Sequence, residues 1–232
     1  MERIESVPPG AQIEDLRPDR KDPMRWHVVI EGTDVCAIDQ RWLSEIGLRV
    51  GLEWDASIGE RVCAAALFDS ARSFTIASLT KWPVSETELR RKLKMRGYDG
   101  ATCDEVVFDM QRIGLLDDAA LAKSLARSAV RGAPAGKRLI ENKLRKRGLD
   151  RESVDAAIDE VRDGLNEPEA AFALACKRLR AMPASLDAQA RRRRVYGALA
   201  RRGFEAEVCA EAVNRALREV GVRDPEGGEE VA

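Results

Sequence analysis

The chain repeats itself three times, and each repeat is punctuated by a glycine. Take Gly97, Gly148 and Gly203 as anchors. Eight places before them stand Leu89, Ile140 and Val195, and four places before stand Leu93, Leu144 and Leu199. Directly after them come Tyr98, Leu149 and Phe204. Nine, ten and thirteen places on are Val106, Val107 and Met110, then Ala157, Ile158 and Val161, then Ala212, Val213 and Ala216. Residues four apart share one face of a helix. A glycine past the last turn supplies the positive φ of a helix C-terminus, and an apolar neighbour packs back on the end. A second helix then carries its own stripe. Further helices are expected before each pair, over 58–79, 117–131 and 167–181, with Asp117 and Glu167 placed for helix N-termini. The fold is therefore mainly α, three tandem three-helix repeats.

Helices this short are marginal alone, and a unit of this size buries a small core. Neighbouring units should stack, which predicts a curved, elongated array about 60–70 Å long from helix diameters alone. Composition agrees: the chain is 44% apolar but only 5% aromatic, which suits close-packed short helices better than strands rich in aromatic and β-branched residues.

Outside the repeats the pattern changes. Residues 1–23, with prolines at 8, 9, 18 and 23 among charges, are expected as a flexible tail. Residues 24–56 read as a small β/α segment: a hairpin from 26–30 and 35–38, a short helix over 39–46 stopped by Gly47, and a further short strand within 48–54. Repeats are then bounded at 57–113, 114–163 and 164–220, with an acidic tail over 221–232. The longest apolar run, 62–68, is shorter than a membrane span, and no apolar leader stands at the start. Cys36, Cys63, Cys103, Cys176 and Cys209 are scattered without a C-x-x-C pair, as expected of small buried hydrophobes in a reducing, cytoplasmic setting.

Net charge is −1, yet it is unevenly spread. Residues 1–60 hold 7 basic and 13 acidic side chains, residues 61–223 hold 32 and 23, and the last nine residues add four acids. A basic body between acidic ends favours an anionic partner. Within each repeat the anchored helix is basic: Arg90, Arg91, Lys92, Lys94 and Arg96; Lys137, Arg138, Lys143, Arg145, Lys146 and Arg147; Arg191, Arg192, Arg193, Arg194, Arg201 and Arg202. The following helix is acidic, with Asp104, Glu105 and Asp109, then Glu152, Asp155, Asp159 and Glu160, then Glu205, Glu207 and Glu211. Taken singly, such residues are solvated faces with weak ion pairs. Segregation repeated three times points instead to a basic stripe facing acidic protein surface or DNA phosphates. A helix-turn-helix duplex reader would put its second helix in the major groove, and here that helix carries the acids. Few aromatics are available for stacking bases.

The motifs ELRRKLKMRGY over 88–98, GLLDDAALA over 114–122, KRLIENKLRKRGL over 137–149 and RVYGALARRGF over 194–204 together resemble the RecX family, regulators of the RecA recombinase. Leu121 departs from the family pattern, which has an aromatic there. The resemblance covers about residues 80–220 and leaves 1–56 unmapped. It implies a protein that binds the RecA filament on single-stranded DNA, lying in its helical groove, and the chain is expected as a monomer. It further implies restraint of filament growth, ATP hydrolysis, strand exchange and co-protease activity. The alternative is a nonspecific nucleic-acid-binding repeat module with no recombinase partner.

Catalysis finds little support. His27 is the one histidine and reads as structural or exposed. The run Gly132-Ala-Pro-Ala-Gly-Lys137 lacks the G-x-x-x-x-G-K-[ST] spacing of a phosphate loop. Asp117 and Asp118 read as a helix cap rather than a catalytic pair. No cofactor or metal is expected.

Overall fold

The computed structural model describes residues 4, 6–183 and 185–221. It is mainly helical, with a small antiparallel sheet near the N-terminus. The chain divides into two units: residues 1–84 with 89–116, and residues 85–88 with 117 onward. Apart from Gly221, the acidic tail lies outside the described residues.

The sheet has strand order β1 (Ile13–Pro18), β2 (Arg25–Ile30), β3 (Thr33–Asp39). β2 and β3 are the expected hairpin, with Trp26 opposite Ile38 and Val28 opposite Cys36. Its turn is the pair Glu31–Gly32, both at positive φ, which matches the right-handed twist of the strands. β1 corrects the reading of 1–23 as a flexible tail. It pairs with β2 and buries Ile13. Its other residues are mostly exposed, as an edge strand's are, so nothing in its hydropathy distinguished it. Within 48–54 the expected strand is reduced to an isolated bridge between Gln12 and Glu53.

His27 lies across this sheet. Its Nε2 is 3.0 Å from Asp19 and its Nδ1 is 2.5 Å from Asp34. The hydrogen bond to Asp19, with Asp34 adding its charge, raises the imidazole pKa above 6.5 against the opposing effect of burial. The reciprocal hydrogen bond from His27 lowers Asp19 to about 2. A raised histidine stabilises the fold fully below its unfolded value of 6.5 and loses that contribution as pH rises through the folded one. A lowered aspartate stabilises fully above 3.8 and loses the contribution as pH falls toward 2. Urea midpoints of the protein should therefore fall as pH rises above 6.5. The His27→Gln variant should show no such fall, and an unchanged slope in the variant would rule out His27 as its source.

α1 (Gln40–Ile46) follows β3 directly. Asp39 caps it by accepting from the Arg41 N–H, and Gly47 ends it at φ 78°. α2 (Ala56–Leu79) is 24 residues long, with the length and apolarity to cross a bilayer. Its residues do other work. Val62 and Ala65 belong to the core under the sheet, with Ile13, Val28, Ile38 and Trp54. Phe68 and Ala71 belong to the core of the first repeat. Its Asp69 accepts from the Asp39 N–H at 2.6 Å and from Trp42 Nε1 at 3.0 Å. Arg72 Nε reaches Asp109 at 2.8 Å. α2 is a core helix, and the boundary expected at 56–57 falls at the start of an element that both cores share.

The other α-helices among the described residues are α3 (Glu86–Met95), α4 (Gly100–Arg112), α5 (Asp118–Arg131), α6 (Lys137–Lys146), α7 (Arg151–Val161), α8 (Glu167–Arg180), α9 (Ala188–Arg201) and α10 (Ala206–Glu219). From α2 to α10 they are the three-by-three pattern. Each repeat has its own core, holding Leu89, Leu93 and Met110, then Ile140, Leu144 and Ile158, then Val195, Leu199 and Val213. All the anchored apolar positions are buried except Tyr98, half-buried with its hydroxyl 2.8 Å from Ser70 Oγ. Gly97, Gly148 and Gly203 all take positive φ, at 88°, 77° and 80°.

Two of these glycine turns receive a helix N-terminus. The Arg147 and Gly148 carbonyls accept from Ser85 and Thr87 hydroxyls. The Arg202 carbonyl accepts from the Gly136 N–H at 2.9 Å. A Cβ on Gly148 would lie 2.7 Å from the Thr87 Cβ, and one on Gly203 would run into Leu139 backbone. Asp117 caps α5 by accepting from the Ala120 N–H, while Asp118 accepts from the Glu86 N–H at 2.9 Å. The adjacent carboxylates thus serve two different helix N-termini.

Candidate partner-binding surface

The cations singled out by sequence sort into those the fold uses and those it leaves to solvent. In the first unit, Arg90 pairs with Asp104 of α4. Arg96 lies 4.1 Å over the Phe74 ring, a cation–π contact rather than a simple complement to the helix end. Arg91 and Lys94 are exposed and form no ion pair among the described residues.

In the second unit, Lys137 is 3.8 Å from Glu141, and Arg138 is 3.7 Å from Glu205. Arg147 is 3.2 Å from Glu88. Arg191 donates to the Leu186 and Pro183 carbonyls at 2.9 and 3.0 Å, tying down the α8–α9 connection. Arg192 donates to Asn214 Oδ1 of α10 at 2.6 Å. Lys143, Arg145, Lys146, Arg193, Arg194, Arg201 and Arg202 form no side-chain hydrogen bond or ion pair among the described residues.

Several acids of the repeats are engaged by the fold. Asp109, read from sequence as part of an exposed acidic face, is buried between Arg72 and Arg112. Burial alone would raise its pKa, and the hydrogen bonds from both guanidinium groups hold it below the ordinary value instead. Glu160 accepts from Arg127 at 2.6 Å and lies 3.4 Å from Lys123, both on α5, and the bond from Arg127 lowers its pKa. Glu169 takes Arg215. Asp99 and Asp150 cap α4 and α7, their carboxylates held low by the Thr102 and Ser153 N–H groups.

Most of the unengaged cations of the second unit converge. In the third repeat a groove of about 690 Å³ runs along α8 and α9, lined by Arg178, Met182, Arg193, Arg194, Gly197, Ala198, Arg201 and Arg202. Arg194, Gly197, Ala198 and Arg201 are spaced i, i+3, i+4, i+7, one face of α9. In the second repeat a groove of about 450 Å³ runs along α5 and α6, with cations Lys143, Lys146 and Arg147 over a floor including Leu125, Ala129, Ile140 and Leu144. Counted from the glycines, Lys146 corresponds to Arg201 and Arg147 to Arg202. Arg202 lines both grooves, and no carboxylate lines either.

Sequence reasoning missed Arg178, because it stands on α8, outside the repeated basic helix. The four arginines at 191–194 also read as one block, whereas successive residues turn about 100° around a helix and only Arg193 and Arg194 reach the groove.

Comparison with known proteins agrees with the repeat architecture. Residues 117–158 match the second three-helix domain of RecX, and residues 166–213 match the third. The regulatory protein RecX of Streptomyces coelicolor is 30% identical over 153 residues, covering 66% of this chain and 80% of that protein. That of Chlorobaculum tepidum is 32% identical over 136 residues, covering 59% and 81%. A crystal structure of a regulatory protein RecX superposes with a TM-score of 0.74 at 22% identity, covering 88% of this chain and 99% of that one. RecX from Lactobacillus salivarius gives 0.58 at 17% identity, covering 65% and 96%. With the repeats, their motifs and these relatives in agreement, the chain belongs to the RecX family of regulatory proteins.

Proposed function

We propose that the protein is a negative modulator of the RecA recombinase that acts in the cytoplasm by binding the RecA filament on single-stranded DNA. It lies in the filament groove as a monomer and restrains filament growth, ATP hydrolysis, strand exchange and co-protease activity. Membership of a family of regulators supports the partner. The observation that carries the surface is the set of cations in the second unit left without internal partners, Lys143, Lys146, Arg193, Arg194, Arg201 and Arg202 foremost. Unpaired guanidinium and ammonium groups attract an anionic surface and lose little on meeting it, since they break no internal contact. Arg145 of α6 is exposed and adds to the attraction, while Arg91 and Lys94 of the first unit are exposed in their own unit. Arg90 and Arg96 of the first unit, and Lys137, Arg138, Arg147, Arg191 and Arg192 of the second, are engaged by the fold.

The test is ATP hydrolysis by RecA on single-stranded DNA, with this protein added at a ratio too low to coat the DNA. Inhibition is expected at that ratio. Inhibition that appears only when the DNA is saturated would instead describe the nonspecific nucleic-acid-binding module.

A further inference from the structure

The two grooves of the second unit combine cationic rims with aliphatic floors, and that combination says something about the occupant. Arg178, Arg193, Arg194 and Arg201 rim the groove of the third repeat, and Lys143 and Lys146 that of the second. Their floors are Met182 and Ala198 in one, and Leu125 and Leu144 in the other. Gly197, inside α9, keeps the first floor low.

A nucleic-acid strand would use the rims and waste the floors. Proteins that hold single strands stack bases on aromatic rings, and no aromatic side chain lines either groove. An acidic polypeptide would use both parts. Its carboxylates fit the planar, two-pronged donors of arginine, and apolar side chains set between them fill the floor as anchors. Arg202, the one cation common to both grooves, would join them.

We propose that the two grooves form one docking track, joined at Arg202, for an extended acidic polypeptide segment bearing apolar side chains at intervals. The inference rests on the RecA-modulator reading, and assigns this track to the protein component of the filament rather than to its DNA.

The experiment uses the full chain and fluorescence anisotropy with three labelled probes. One is a peptide of about twelve residues repeating Glu-Glu-Leu, roughly 40 Å when extended. A second has serine for leucine, and the third is an oligo-dT of similar length. The leucine peptide is expected to bind roughly tenfold more tightly than the serine peptide. Arg202→Glu should weaken the leucine peptide roughly tenfold more than Arg49→Glu, a change to an exposed cation of the first unit. Circular dichroism checks that the variants keep their helicity, and Arg178→Glu takes the place of Arg202→Glu if that variant fails to fold.

Equal binding of the two peptides would leave the floors idle and overturn the proposal. So would the absence of peptide binding, or tighter oligo-dT binding lost on the same Arg202 substitution. Should any of these occur while RecA hydrolysis is still inhibited at low ratio, the acidic-peptide track fails and the RecA reading stands.

Discussion

Gly203→Ala destabilises the protein far more than Gly97→Ala, although both glycines close the same turn in sequence. Both sit at positive φ, where an L side chain costs about 1–2 kcal/mol. Around Gly97 an added Cβ would meet nothing within 4 Å, so the backbone cost is the whole cost, about 1 kcal/mol. At Gly203 the same methyl is driven into the backbone of Leu139, which cannot swing aside as a flexible side chain could. Overpacking of that kind adds about 1–3 kcal/mol, for a total of about 3 kcal/mol or more. Gly148→Ala should fall between them, since the nearest obstacle is the Thr87 Cβ at 2.7 Å, less close than the Leu139 backbone nitrogen at 2.3 Å. Urea denaturation of the three variants gives the order directly. Equal losses would mean that the turn at Gly203 does not hold the helix N-terminus at Gly136 in solution.

Reversing Lys146, Arg201 and Arg202 together to glutamate should weaken inhibition of RecA by roughly a hundredfold while leaving the fold intact. None of the three side chains has an internal partner among the described residues, so the substitution breaks nothing inside the molecule. Reversing Arg191 and Arg192 tests the contrast. Those side chains hold the α8–α9 connection and Asn214, and their loss should appear first as a lower melting temperature. Titrating each variant against RecA hydrolysis, with melting followed in parallel, separates the two outcomes. Inhibition unchanged by the triple substitution would sink the role assigned to this surface.

The helical repeats were legible because they depend on local rules. A stripe at i and i+4, a glycine at positive φ and an apolar residue behind it leave the same trace each time, and the buried Leu89, Ile140 and Val195 answer it. β1 was not legible, since an edge strand with one buried residue in Ile13 has almost no hydropathic signature. Its partner β2, which buries Val28, Val29 and Ile30, has a strong one. The basic character of α6 and α9 could be read, but not its division of labour. Whether an arginine meets a carbonyl, a ring or water depends on residues far off in sequence: Glu88 for Arg147, Asn214 for Arg192, Phe74 for Arg96. Arg178 reaches the groove only because α8 and α9 pack side by side, which no periodicity along one helix reveals.

The long helix α2 has one further implication. Because its first half seals the space beneath the sheet and its second half fills the first repeat, neither neighbourhood can melt without wetting part of the same rod. Amide protons in β2 and in α4 should consequently exchange through one shared opening event, so that the strands and the first helical repeat live or die as a single cooperative block.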